Sequence, residues 1–163
     1  MIRLALVRHA KSDWSSPGLD DHDRPLNPRG ERDAPAMAAR LAATGFRPDV
    51  IVSSTALRAR MTAQPFADEF DLPVVLERRL YAAPGSTLLR AVQDIGAGGA
   101  ASVLLVAHNP GITDLAYGLS EERIARMPTC AIATFAWELE STKAHWQAID
   151  AVEPVEWSLD VPR

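Results

Sequence analysis

The segment Ser102-Val-Leu-Leu-Val-Ala107 constrains the fold of this 163-residue chain more than any other. It is uncharged, rich in branched apolar side chains, and has no polar face to present to water. Such a strand is stable only when covered on both sides, the situation of a parallel sheet with helices on each face. Ile2 to Val7 is a second largely apolar run, and Val50-Ile51-Val52 and Pro73 to Leu76 are shorter ones. Helical patterns alternate with them. Asn27-Pro28 reads as an N-cap with proline at the first helical position, opening Arg29 to Ala43 with Gly45 as the stop. Ala56 to Phe70, Ser86 to Ile95 and Ile112 to Leu119 follow, with turn glycines at 96, 98 and 99. Pro35 and Pro65 sit awkwardly inside two of these helices. Two runs in the tail, Cys130 to Leu139 and Ala144 to Val152, read as strands of a hairpin or sheet edge, with His145 and Trp146 as packing or surface residues. The expected fold is a three-layer α/β/α sandwich with a mostly parallel central sheet, in one domain over residues 1–163.

Charge and cysteine content narrow the function classes. A net charge of −4 gives no global basic field, so neither nucleic acid nor an acidic membrane is an expected partner. An anionic ligand must be held by local charge. The one cysteine, Cys130, permits no internal disulfide, and no basic-then-apolar leader precedes the first strand. A cytoplasmic setting is the expectation. Cys130 reads as a small buried residue, since nothing basic adjoins it in sequence.

In open α/β sheets ligands bind beyond the carboxyl ends of the strands. The residues there are Arg8-His9-Ala10-Lys11 after the first strand, Ser53 to Arg58 after the second, and His108-Asn109-Pro110-Gly111 after the clearest one. Two of the four histidines and two arginines thus fall on one rim of the expected sheet. Arg58 lies in the first turn of a helix, where the dipole and free N–H groups favour an anion. The joint pattern points to a phosphate or anion site.

Arg8-His9-Ala10 resembles the Arg-His-Gly/Ala signature of the histidine phosphatase superfamily. Ser54 to Ala63 resembles that family's second motif, in which an Arg-Ala pair is followed by Thr-Ala, and Val106 to Gly111 resembles the third, which supplies a second histidine. Lys11-Ser12-Asp13-Trp14, with Asp23 to Asn27 and Gly30, is similar to the SixA-type branch of small phosphohistidine phosphatases. The resemblance implies a phosphoglycerate mutase-like fold and a metal-independent phosphatase without a cofactor. In it His9 is the nucleophile that becomes phosphohistidine, while Arg8, Arg58 and His108 hold the phosphoryl oxygens. Lys11, Ser12, Arg24 and Asn109 are substrate-binding candidates by position.

Larger members of the family carry an acidic residue that protonates an alkoxide leaving group. Here the corresponding stretch is Leu76 to Tyr81, and Glu77 is the candidate acid, although its register to Tyr81 does not match the family pattern cleanly. Asp13 or Asp21 is the alternative proton source, from the loop. A site without a strong acid suits a P–N bond better than a P–O bond, because a protonated imidazole leaves as a neutral ring near a pKa of about 6.5. The expected partner is therefore a histidine-phosphorylated protein. Small phosphomonoesters such as sugar or nucleotide phosphates are the first alternative, and a non-catalytic phosphate-binding module the second. Gly96 to Ala101 has the spacing of a dinucleotide loop but precedes a strand instead of following one. Asp20-Asp21-His22-Asp23 reads as a solvated loop and not a metal site, since consecutive residues rarely share a coordination sphere.

Overall fold

A computed structural model describes residues 1–163. Its strands are β1 (Ile2–Arg8), β2 (Val50–Ser53), β3 (Val74–Leu76), β4 (Ser102–Ala107), β5 (Ile132–Trp137) and β6 (Glu156–Asp160). The helices are α1 (Pro28–Ala43), α2 (Leu57–Phe70), α3 (Gly85–Ala97), α4 (Gly111–Leu119) and α5 (Lys143–Gln147). One six-stranded sheet runs in the order β3-β2-β4-β1-β5-β6. The first four of these positions are parallel, while β5 runs antiparallel to both β1 and β6. All six residues of β4 are buried, as its composition requires.

Alternation along the strands sorts the core into two halves. Leu4, Leu6, Val103 and Leu105 face α3, α4 and Trp146 of α5. Ala5, Val7, Leu104 and Val106 face α1 and α2. The expected three-layer, mostly parallel sandwich is the fold observed.

Sheet register sets the site. In the β1–β4 pair Arg8 lies opposite Ala107, so His9 and His108 leave the sheet side by side. The β2–β4 pair ends at Ser53 opposite Val106, which brings Ser54 and the start of α2 to the same edge. Three motifs far apart in sequence thus meet because three parallel strands stop at one level.

The helix boundaries follow from capping. Asn27 accepts the Gly30 N–H at 2.9 Å, with Pro28 at the position where a missing N–H costs nothing. Both interior prolines are accommodated. Pro35 lies on the exposed side of α1 while Ala34, Met37, Ala38 and Leu41 pack inward, so tertiary packing holds the helix across the lost bond.

The tail departs from the expected pair of strands. Cys130 to Leu139 contains β5, but Ala144 to Val152 is not a strand. It contains most of α5, and the sheet's outer strand is β6, further on. Thr142 caps α5 by accepting the His145 N–H at 3.2 Å, and the buried residues there, Trp146 and Ile149, are spaced by three, not two. His145 and Trp146 therefore sit on a helix. Trp146 is fully buried, lies against Gly96 where no Cβ stands in the way, and donates its indole N–H to the Ala100 carbonyl at 2.8 Å.

Gly30 joins fold to site. A Cβ there would overlap the backbone carbonyl of Lys11, two residues beyond His9, and neither backbone can swing aside. Gly30→Ala is expected to destabilise the protein by about 1–3 kcal/mol, read as a lower urea midpoint with an unchanged slope.

Candidate active site

His9 is 8% exposed at the end of β1. Its Nδ1 lies 2.7 Å from the Ala10 carbonyl. A carbonyl only accepts, so Nδ1 carries the proton and Nε2 keeps its lone pair. Burial lowers the His9 pKa to about 3, with the nearby charges of His108, Arg58 and Arg8 acting in the same direction and the Ala10 carbonyl opposing them. The ring is therefore neutral at physiological pH, with the Nε2 lone pair free to attack an electrophile. Thr62 ties this turn to α2 by accepting the Ala10 N–H at 2.9 Å and donating to the Arg58 carbonyl at 2.7 Å.

His108 stands beside it, the two rings 5.1 Å apart between centroids. Its Nε2 contacts the Ser54 hydroxyl at 2.7 Å, and burial followed by the Arg58 charge lowers its pKa to about 4. Arg8 has no carboxylate partner. Its one side-chain hydrogen bond runs from Nη1 to the Met127 carbonyl at 3.0 Å, and burial with nearby Arg126 lowers its pKa. Arg58 is 6% exposed and is held through Nη1 to the Asp21 carbonyl (2.7 Å) and Nη2 to Asp21 Oδ2 (2.9 Å). Arg8 Nε, Arg58 Nε and His108 Nδ1 are buried without any hydrogen-bond partner. Native interiors rarely leave such groups unpaired, and functional sites are the usual exception.

These groups border a cleft of about 220 Å³, lined by Arg8, His9, Lys11, Ser12, Trp14, Arg24, Arg58, His108, Asn109 and Thr129. Arg8, His9, Lys11, Ser12, Arg24, Arg58, His108 and Asn109, all nominated from the sequence, line it; Asp13 and Asp21 do not, and nor does Glu77. That carboxylate pairs instead with Arg79 at 3.5 Å, outside the cleft lining. No carboxylate lines the cleft, whereas four cationic side chains do. The chain's net negative charge is thus locally reversed. Two larger concavities lie elsewhere, one between α1 and the β5–β6 end of the sheet and one between α3 and α4, and neither contains any of these residues.

Asp21 is the residue whose role sequence reasoning misread. As a loop proton source it would have to hold a proton, and its surroundings forbid that. Tyr81 Oη donates to Oδ2 at 2.6 Å, and Arg24 donates to Oδ1 from Nη2 at 2.9 Å and from Nε at 3.1 Å. The Tyr81 hydrogen bond is the largest influence on the Asp21 carboxyl; burial opposes it, but Arg24 and Arg58 add to it, and together they hold the group well below the usual carboxylate range. Asp21 is an anchor for two guanidiniums. The Asp20–Asp23 stretch is largely exposed, as expected of a solvated loop, although residues 21–23 form a 3₁₀ turn and His22 Nε2 contacts the Thr55 hydroxyl at 2.8 Å. Asp13 is also held ionised, chiefly by hydrogen bonding from Ser15. Cys130 is buried as expected, with its thiol pushed up to about 12, chiefly by burial. Its backbone N–H, however, donates to the carbonyls of Arg8 and His9, a contact with no trace in the local sequence.

Two expectations follow from this electrostatic arrangement. Asp21→Asn removes the charge that fixes Arg58 and Arg24, and kcat/KM should fall about tenfold to a hundredfold, as small misplacements of binding groups do. Steady-state kinetics on any turned-over phosphate substrate measures it. For the histidines, the unfolded chain takes up protons below about pH 6.5, while folded His108 and His9 resist until about 4 and 3. The unfolded state therefore binds more protons across this window, and stability falls as pH drops from about 6.5 toward 3. Urea titrations at pH 7 and pH 5 should show the loss, and His9→Asn should flatten part of it.

Comparison with known proteins agrees with the fold. Residues 4–82 match the histidine phosphatase superfamily (branch 1). An uncharacterized protein of Mycobacterium tuberculosis is 33% identical over 154 residues, which span 88% of this chain and 92% of its own. A candidate phosphohistidine phosphatase SixA from Agrobacterium tumefaciens is 33% identical, with a TM-score of 0.77 over 83% of this chain and 92% of that one. Another, from Nakamurella multipartitia, is 25% identical with a TM-score of 0.83, covering 99% of this chain and 96% of that one. The chain belongs to the histidine phosphatase superfamily, and it is a phosphatase. Within that superfamily it falls in the SixA-type branch. No helix is long and apolar enough to cross a membrane.

Proposed function

We propose that the chain hydrolyses phosphohistidine in a partner protein, through a covalent phosphohistidine on His9 and without a metal ion. The observation that carries this reading is the chemistry of the cleft lining: cations and imidazoles line it, and no carboxylate does. Glu77 faces Arg79, and Asp21 is held ionised by its hydrogen-bonding partners. Nothing there protonates an alkoxide, whereas a phosphoimidazole protonated from solvent leaves as a neutral ring.

The steps balance without a further reactant. His9 Nε2 attacks phosphorus in line, the partner's P–N bond breaks, and its electron pair stays on the partner's ring, which departs neutral. Arg8, Arg58 and His108 stabilise the charge on the equatorial oxygens, where positioning and electrostatics carry most of the catalysis. Water then attacks the phosphorus on His9, inorganic phosphate is released with a proton, and His9 regains its starting tautomer. The guanidiniums supply the positive charge that a metal provides in other phosphatases.

A histidine-phosphorylated carrier domain and p-nitrophenyl phosphate, each incubated with the protein and a chelator, test the reading. The expected result is rapid loss of label from the carrier and much slower ester turnover. Fast ester hydrolysis with an inert carrier would move the substrate to small phosphomonoesters.

A further inference from the structure

Trp14 belongs to a segment that the catalytic chemistry does not use. It lines the mouth of the cleft and is 71% exposed, the largest exposure among the chain's exposed large hydrophobic residues. Its position is nevertheless fixed. The Arg24 guanidinium lies 3.5 Å from the indole centroid, and Arg24, itself 6% exposed, is anchored through Asp21 and the Ser12 hydroxyl. One face of the indole is stacked on a cation, and the rest is presented to solvent beside the site.

A rigid aromatic held in this way gives a large apolar contact area at little entropic cost, which is the character of a binding hot spot. Its surroundings state what kind of partner fits. Lys11 is exposed on the same rim, and exposed Arg126 stands near enough to Arg8 to lower its pKa. At about 220 Å³ the cleft takes a phosphoryl group and the ring that bears it, so the remainder of a macromolecular substrate must lie across the rim. We propose that Trp14, stacked on Arg24, is a specificity platform that packs against the protein surface flanking the partner's phosphohistidine and so favours protein-borne over free phosphohistidine. The proposal rests on the phosphohistidine reading above.

The platform acts on the ratio of two rates, which a merely supporting residue would leave alone. Wild type, Trp14→Ala and Trp14→Phe are each given a histidine-phosphorylated carrier domain and, separately, the free amino acid phosphohistidine. In Trp14→Ala the carrier-to-amino-acid ratio of kcat/KM should fall about tenfold or more, mainly through KM for the carrier, with Trp14→Phe restoring most of it. Affinity of the His9→Ala protein for the phosphorylated carrier, measured by calorimetry, should weaken by a similar factor when Trp14→Ala is added. If both substrates slow equally, Trp14 only supports Arg24, and the inference is overturned while the enzyme's reading stands. A wild-type protein inert on both substrates overturns the phosphohistidine reading and the inference with it.

Discussion

His9→Ala should abolish turnover, with a loss on the order of 10⁴-fold or more, while the protein remains folded. The Ala10 carbonyl fixes the proton on Nδ1, burial keeps the ring neutral, and Nε2 keeps an unprotonated lone pair near the charges of Arg8 and Arg58. A second imidazole, His108, lies next to it but cannot substitute, because its Nε2 is engaged by Ser54 and its Nδ1 is buried. On the proposed mechanism, removing the ring deletes a covalent step, not one donor among several. Stability should not fall with activity, since a group that resists protonation in the folded state costs stability at acid pH. Kinetics and urea unfolding on the same preparation check both halves.

Arg8→Ala should lower kcat/KM by about 10²–10³-fold with a change in stability within about 1 kcal/mol. The two effects separate because Arg8 has so little structural duty. No carboxylate neutralises it, it makes one side-chain hydrogen bond, to Met127, and its Nε has no partner. Burial and Arg126 already disfavour its charge, so the folded protein holds this cation at a cost. An anion in the cleft is what relieves that cost. Lysine should restore little, because a single ammonium cannot present the forked pair of donors that a phosphoryl group takes. Arg58 is the contrasting case: its ties to Asp21 make its loss both structural and chemical.

Much of this was legible in the sequence, for a physical reason. Arg8 ends β1, His9 and His108 directly follow β1 and β4, and the carboxyl ends of neighbouring parallel strands lie together, so position at a strand's end is itself spatial information. The third element, Arg58, opens the helix that follows β2 and is subject to the same rule. The partnership of Asp21 and Tyr81 escaped because it spans 60 residues and joins one 3₁₀ turn to the residue that ends another, where no period records which side chains meet. Trp14 was visible as part of a motif, but its stacking on Arg24 depends on the loop's path. The tail strand was misplaced because Ala144 to Val152 has strand-like composition, while Thr142 and the three-residue spacing of Trp146 and Ile149 decide in favour of a helix. Composition outweighed spacing there, and the cap was the signal overlooked.

Phosphate is proposed to pass through His9, and rapid quenching of the protein with radiolabelled, histidine-phosphorylated carrier, followed by peptide mapping, tests this. A transient label is expected, acid-labile and stable to alkali, on the peptide that contains His9, appearing before inorganic phosphate and absent from His9→Ala. Turnover with no protein-bound label at any time, or label on a different residue, would contradict it.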